Sequence, residues 1–356
     1  MTETATSFDK DRARAFTKRM LDILNDGALS LMMSVGHKAG LFDAMDGTAA
    51  RSSSEIAANA GLDERYVREW LAAMACGGIV DYDADNETFQ LPAEHSGLVT
   101  RRAGPLNLTV PMQHISLLGE VEDDLVDAFQ NGGGVPYDKF PRFQALTAES
   151  SERRFHSGLV NQVVPLLDMD DAFTSGIDVA DVGCGSGLAS YLLGKEFPNS
   201  QFVGFDMSQD GIAHASEVAR EQTNVSYEVA DAAGLDQHER FDLVTTFDAI
   251  HDQAHPTTVL SNIFAMLRPG GTYLCVEPKA SSRLEDNIPD PMAPYMYTIS
   301  TMHCMTVSLA YGGEGLGAAW GHQLATEYLT NAGFVDIEIA GIRDDRGNNY
   351  FISKKP

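Results

Sequence analysis

The run Asp181-Val182-Gly183-Cys184-Gly185-Ser186-Gly187 combines a carboxylate with three glycines at alternate positions. Glycines in that spacing let the chain take backbone angles closed to other side chains, and let its amides come close to a ligand. Two further acids, Asp206 and Asp231, and the pair His251-Asp252 follow along the chain. Such a set can do two things: the loop and the acids can hold a nucleotide-like ligand, and an imidazole with an ordinary pKa near 6.5 can take a proton from a hydroxyl.

The elements that must position these residues can be read on either side of them. Residues 177–182 read as a short buried strand, and 188–197 as a helix leaving the glycine turn. Residues 201–206 form a second strand ending in an acid, at the distance past a glycine loop where a carboxylate grips a ribose diol. Further strands are expected over 225–229 and 241–247, and 267–276 reads as a helix end running into a fifth strand. A helix over 325–332 and strands over 334–340 and 349–353 close the chain, with 343–347 as a solvated hairpin turn. Strand and helix alternating in this way predict an α/β fold, doubly wound around a mostly parallel sheet.

A dinucleotide fingerprint would need glycine at 188, where the chain has Leu188. The pattern present, D-x-G-x-G-x-G with the later acids and the Arg268-Pro269-Gly270-Gly271 segment, resembles the class I S-adenosylmethionine-dependent methyltransferases over about residues 150–356. The resemblance implies a Rossmann-like, mostly parallel seven-stranded sheet with an antiparallel C-terminal hairpin. S-adenosylmethionine is then the donor and S-adenosylhomocysteine the product. By the same resemblance, Asp181, Gly183, Cys184, Gly185, Gly187, Asp206, Met207, Asp231, Ala232 and Phe247 contact the cofactor. Asp181 suits its ammonium, Asp206 its ribose, and the Ala230-Asp231-Ala232 turn its adenine.

His251-Asp252 resembles the histidine and aspartate of the plant-type phenolic O-methyltransferases, where the histidine is the general base. The alternative is a histidine that packs against, or caps, the next helix. Residues 247–256 contain no N/D-P-P-F/Y run, which argues against nucleic-acid base amines as acceptors. The acidic partner that the family sets against its histidine near the last helix has no recognisable counterpart; His322 stands in that region. His251 and His255 have a metal-ligand spacing, but Pro256 breaks the helix that would align them and no carboxylate cluster completes a site, so no metal is expected.

Between the fifth strand and the last helix, an insertion over 278–321 carries Met296, Met302, His303 and Trp320, read as an apolar substrate wall. Glycines within 312–317 are expected to let it move as a lid; the alternative is a core helix beside a surface loop.

The first 102 residues read as a winged-helix domain: helix, Gly61 turn, a second helix capped by Asp63, then a wing around 83–87. A helical connector is expected over 103–170, and the cofactor-binding domain over 171–356. Winged helices in transcription factors enter the DNA major groove, whereas in many small-molecule O-methyltransferases a similar module builds a homodimer. Residues 51–100 hold nine carboxylates against three arginines, which is hostile to phosphates and favours the dimer. A DNA-binding regulator and an inactive methyltransferase fold serving as a partner subunit are the rival readings.

The net charge of −26 repels nucleic acid and anionic membranes and points to a salt-rich cytoplasm, where screening makes dense carboxylates tolerable; the alternative is simply an acidic mesophilic protein. Cys76, Cys184, Cys275 and Cys304 are scattered without a C-x-x-C pair, as reduced thiols are. With no leader and no long apolar run, a cytoplasmic protein acting on a small molecule is expected.

Overall fold

The computed structural model describes residues 8–356. They pack as two compact units, one ending at Ser116 and the other spanning Leu117–Pro356.

The first unit begins with one long helix, Lys10–Lys38, whose N-terminus is capped by Asp9 Oδ1 accepting from the amides of Asp11 and Arg12. Gly36 lets the indole of Trp70 lie directly against this helix, since a Cβ there would stand 2.4 Å from the ring. The indole Nε1 then donates to Met32 O at 2.8 Å. Helices Ser53–Ala60 and Glu64–Cys76 follow. Ser52 and Glu55 form a reciprocal capping box on the first, and Asp63 caps the second as expected. Strands β1 (Asp81–Asp83) and β2 (Thr88–Gln90) pair antiparallel as the wing. The apolar stripe of Val67, Trp70, Leu71 and Met74 faces Phe42, Met45 and Ile56 in the core of this unit.

The second unit is built on a seven-stranded sheet. Its strands are β3 (Asp178–Val182), β4 (Gln201–Asp206), β5 (Val225–Val229), β6 (Phe241–Phe247), β7 (Leu267–Pro278), β8 (Val335–Ile342) and β9 (Asp345–Lys354). They lie in the order β5-β4-β3-β6-β7-β9-β8, and β9 runs antiparallel to both β7 and β8. Successive side chains point to opposite faces, so each inner strand feeds two cores. Ala180, Val182, Val244 and Tyr273 pack on one side with Val259, Leu260 and Ile263 of the Pro256–Met266 helix. Val179, Leu243, Leu274 and Val276 pack on the other with Phe155, Leu159 and Leu193. This is the doubly wound arrangement expected.

Two local expectations are corrected. The start of 267–276, expected as a helix end, already belongs to β7, because Gly270 N–H donates to Lys355 O and Lys355 N–H to Gly271 O, drawing the segment into the sheet. The hairpin turn over 343–347 is not wholly solvated. Asp345 turns inward, where Oδ2 accepts from Tyr350 OH and Asn348 Nδ2, each at 2.9 Å, and pairs with Arg154.

Candidate functional site

The glycine turn leaves β3 at its carboxyl end and is fastened to β4. Gly183 and Cys184 N–H both donate to Phe205 O, at 2.8 and 3.1 Å. Gly185 N–H donates to Asp206 Oδ2 at 2.8 Å, and the other oxygen of Asp206 takes the Ser208 amide at 2.8 Å. Asp206 thus sets the loop and the start of the Gln209–Val218 helix with one carboxylate. Gly185 has φ +55, and a Cβ built on it meets nothing within 4 Å. The room above the loop is therefore a cradle that a side chain would fill. At Gly187 the reverse holds, because the Tyr227 ring closes the back of the loop and its hydroxyl donates to Gly187 O at 2.7 Å.

The other expected cofactor contacts sit at the carboxyl ends of neighbouring strands. Asp231, exposed, opens a turn over Ala232–Gly234 by accepting from Ala233 N–H at 2.9 Å. Asn262 Nδ2 holds that turn through the carbonyls of Ala232 and Ala233. Met207 is exposed, and Phe247 meets Phe155 edge-on with ring centres 4.9 Å apart.

Asp181 is buried near the carboxyl end of β3, accepting from Thr245 Oγ1 at 2.9 Å and Ser190 Oγ at 3.4 Å. Burial pushes its pKa up to about 7, against the two hydroxyl hydrogen bonds and with help from the charge of Asp206.

After β6 the backbone takes a left-handed step at Asp248, φ +54, a conformation in which non-glycine residues are uncommon. Its carboxylate is held by Arg154 Nη1 at 2.8 Å. The step turns the next residues toward the end of β7. There Glu277 accepts the Ile250 amide on Oε1 at 2.9 Å and faces His251 Nδ1 with Oε2 at 2.6 Å. Both side chains are buried. Burial alone would lower the pKa of the imidazole; the Glu277 carboxylate and the Cys304 sulfur outweigh it and hold the pKa well above 6.5. Because Nδ1 faces the carboxylate, it carries the proton, and the ring has a second hydrogen-bond neighbour in the Cys304 sulfur. Asp252, next in the chain, is pushed up to about 6 by burial and by Glu277 and Asp206, with His251 opposing.

Glu277 was missed as a partner for His251. Its signal is a carboxylate closing the apolar run Tyr273-Leu274-Cys275-Val276 of a central strand. His322, the residue standing where a partner was sought, lies with Nδ1 3.1 Å from Ala280 O.

Of the four expected lining residues, two come together. His303, fully buried, stacks on Phe143 with ring centres 3.4 Å apart and meets Phe140 and Tyr137 edge-on. Met302 packs on the same cluster, beside Phe140 and Val307. Tyr137 and Phe143 were not foreseen; burial, then Asp252 and Asp206, push the Tyr137 phenol upward, which places it toward the acids of the site. Met296 is half-buried on the Ala293–Ile299 helix. Trp320 instead joins the core beneath β6 and β7, edge-on to Tyr328, because the chain there is already returning to the sheet.

Residues 173–333 match a family model described as a methyltransferase domain, and residues 27–101 one described as an Rv2258c-like winged HTH domain. A ubiquinone biosynthesis O-methyltransferase of Coxiella burnetii (strain Dugway 5J108-111) is 35% identical over 98 residues, 27% of this chain and 41% of that protein. The chain thus spans about two fifths of the length of that curated relative. Among solved structures, human N-acetylserotonin methyltransferase in complex with S-adenosylmethionine superposes with a TM-score of 0.70 at 16% identity, covering 99% of both chains. The mitomycin 7-O-methyltransferase superposes at 0.73 with 14% identity, covering 97% of this chain and 100% of the other. At these identities the likeness is one of fold.

Proposed function

We propose that this chain, which joins a winged helix-turn-helix domain to a class I methyltransferase domain, transfers a methyl group from S-adenosylmethionine to an oxygen of a small, partly apolar or aromatic molecule. The observation that carries the reading is the shared sheet edge. The open cradle at Gly185 and Asp206 and the His251–Glu277 pair all lie at the carboxyl ends of parallel strands, where such sheets bind ligands.

The residues fit the cofactor. Gly185 leaves room that any side chain would take, Asp206 faces the loop with spare acceptor capacity, and Asp181 and Asp231 offer acids on either side. When bound, S-adenosylmethionine supplies an electrophilic methyl on a sulfonium that departs as a neutral thioether. The part left to this chain is alignment and one proton. His251, deprotonated at Nε2, accepts the hydroxyl proton, and Glu277 steadies the imidazolium so formed through Nδ1. The aromatic cluster of Tyr137, Phe143 and His303, with Met302, supports an acceptor carrying a flat apolar ring.

Calorimetry with S-adenosylhomocysteine tests the reading. The wild-type protein should bind, and a folded Gly185→Val variant should not, because valine fills the cradle at a φ that L side chains rarely adopt. A folded variant binding as tightly as wild type would remove the cofactor from this loop.

A DNA-binding role is disfavoured by the helix that would enter the groove. Its Arg65 and Arg68 are each engaged four residues away, by Glu69 and Glu64. A homodimer is supported by the apolar stripe of the Lys10–Lys38 helix, where Phe16, Leu21 and Leu24 are exposed. Among the described residues no helix is long and apolar enough to cross a membrane. The four free thiols and the net charge of −26 support a salt-rich cytoplasm.

A further inference from the structure

The glycine-rich segment 312–317 reads in the sequence as the hinge of a lid. Its bonding in the structure is that of a fixed brace. Ser308, fully buried on the Met305–Ala310 helix, donates from Oγ to Gln253 O at 2.9 Å and accepts from Gly315 N–H at 3.1 Å. Gly313 N–H donates to Ser308 O at 2.9 Å, Glu314 N–H to Ala254 O at 3.1 Å, and Gly317 N–H to His251 O at 3.0 Å. The fit is tight. A Cβ on Gly313 would stand 2.4 Å from Ala254 Cα and 2.5 Å from Ser308 Oγ, and one on Gly317 2.3 Å from Ser300 Oγ.

The turn that carries His251 depends on these partners. Its own bonds are Gln253 N–H to Ile250 O at 3.2 Å and Gln253 Nε2 to Ala249 O at 2.8 Å. The carbonyls of His251, Gln253 and Ala254 all go to the segment from Ser308 to Gly317. Backbone groups in such a setting must be paired, so the brace fixes where the turn can sit.

We propose that Ser308 is a positioning residue for His251: its hydroxyl joins Gln253 O to the Gly315 amide, locks the turn, and so holds the imidazole against Glu277. The inference rests on the methyl-transfer reading for its functional meaning, while its geometry stands apart from it. The groups facing His251 are Glu277 and Cys275 on β7, Cys304 on the helical turn Ser300–Cys304, and the adjoining Asp252. Removing the hydroxyl strands a carbonyl and an amide where water is scarce.

The test uses the full chain and two variants, Ser308→Ala and the near-isosteric Ser308→Cys. Deuterium exchange follows the amides of Glu314, Gly315 and Gly317. Nitrogen-15 spectra follow the His251 ring, assigned against His251→Asn. In Ser308→Ala those amides should exchange about tenfold faster. The ring midpoint should fall by about one pH unit as the Glu277 contact loosens. Ser308→Cys should fall between alanine and wild type, and it decides the matter should the alanine variant not fold. Unchanged exchange and an unchanged midpoint overturn the proposal. S-adenosylhomocysteine calorimetry on the same samples separates the two ideas: wild type failing to bind it strikes the methyl-transfer reading, whereas binding within about twofold in all three, with the exchange and ring shifts above, leaves both standing.

Discussion

Glu277 spends one oxygen on the amide of Ile250 and the other on the ring of His251, 2.6 Å from Nδ1. One carboxylate therefore sets both the backbone approach and the protonation of the imidazole. The pair behaves as a unit, and the carboxylate raises the pH at which the imidazole becomes neutral.

A base works only when neutral, and His251 is held well above 6.5. Turnover of a phenolic acceptor should therefore climb as pH rises through that raised midpoint. In Glu277→Gln the carboxylate is gone and burial prevails, so the limb should move to lower pH while the plateau falls. His251→Ala should keep affinity for S-adenosylhomocysteine and lose about 10²–10⁴-fold in turnover. Steady-state pH profiles check both, and near-normal turnover in the alanine variant would exclude His251 from proton removal.

Asp181 carries the opposite cost. Its pKa rises from 3.8 to about 7 on folding, so ionising it weakens the ligand-free protein progressively between those values and fully above the upper one. Asp181→Asn retains acceptor and donor for Thr245 and Ser190 and removes the charge. Its stability advantage should be absent below pH 4, grow up to about pH 7 and level off at about 4 kcal/mol. Urea unfolding across that range reads the difference, and affinity for S-adenosylmethionine should fall in the same variant.

Arg154 joins three parts of the second unit: its own helix Phe143–Gly158, the left-handed step at Asp248, and Asp345 in the hairpin turn. Arg154→Met leaves two carboxylates without their cation in a largely dry place and should cost about 3 kcal/mol in urea unfolding. Arg154→Lys should recover part of this, since an ammonium has no planar fork to serve both acids.

A protein with a net charge of −26 repels itself at low ionic strength. Its thermal midpoint should rise as potassium chloride is raised. A flat or falling response would rule out adaptation to a salt-rich cytoplasm.

The strands and the glycine loop were legible because they are local: apolar runs ending in acids, and a turn only glycine can make. β6 was read with its bounds at Phe241 and Phe247. Residues that act through distant partners were not. Glu277 stands 26 positions from His251, and the carboxylate that closes its apolar strand marks a strand end without saying which residue it pairs with. The segment 312–317 was ambiguous for a related reason: glycines that permit motion in a loose chain also permit close packing, and its contacts with Ala254 and Ser300 are made to residues far from it in the chain.

β9 follows β8 in the chain yet lies between β7 and β8 in the sheet. Val335–Ile342 therefore has its native neighbour only once residues 345–354 stand between it and β7. Synthesis that stalls just before Asp345 would leave β7 with a bare edge beside the strand end that presents Glu277, open to capture by another unfinished chain.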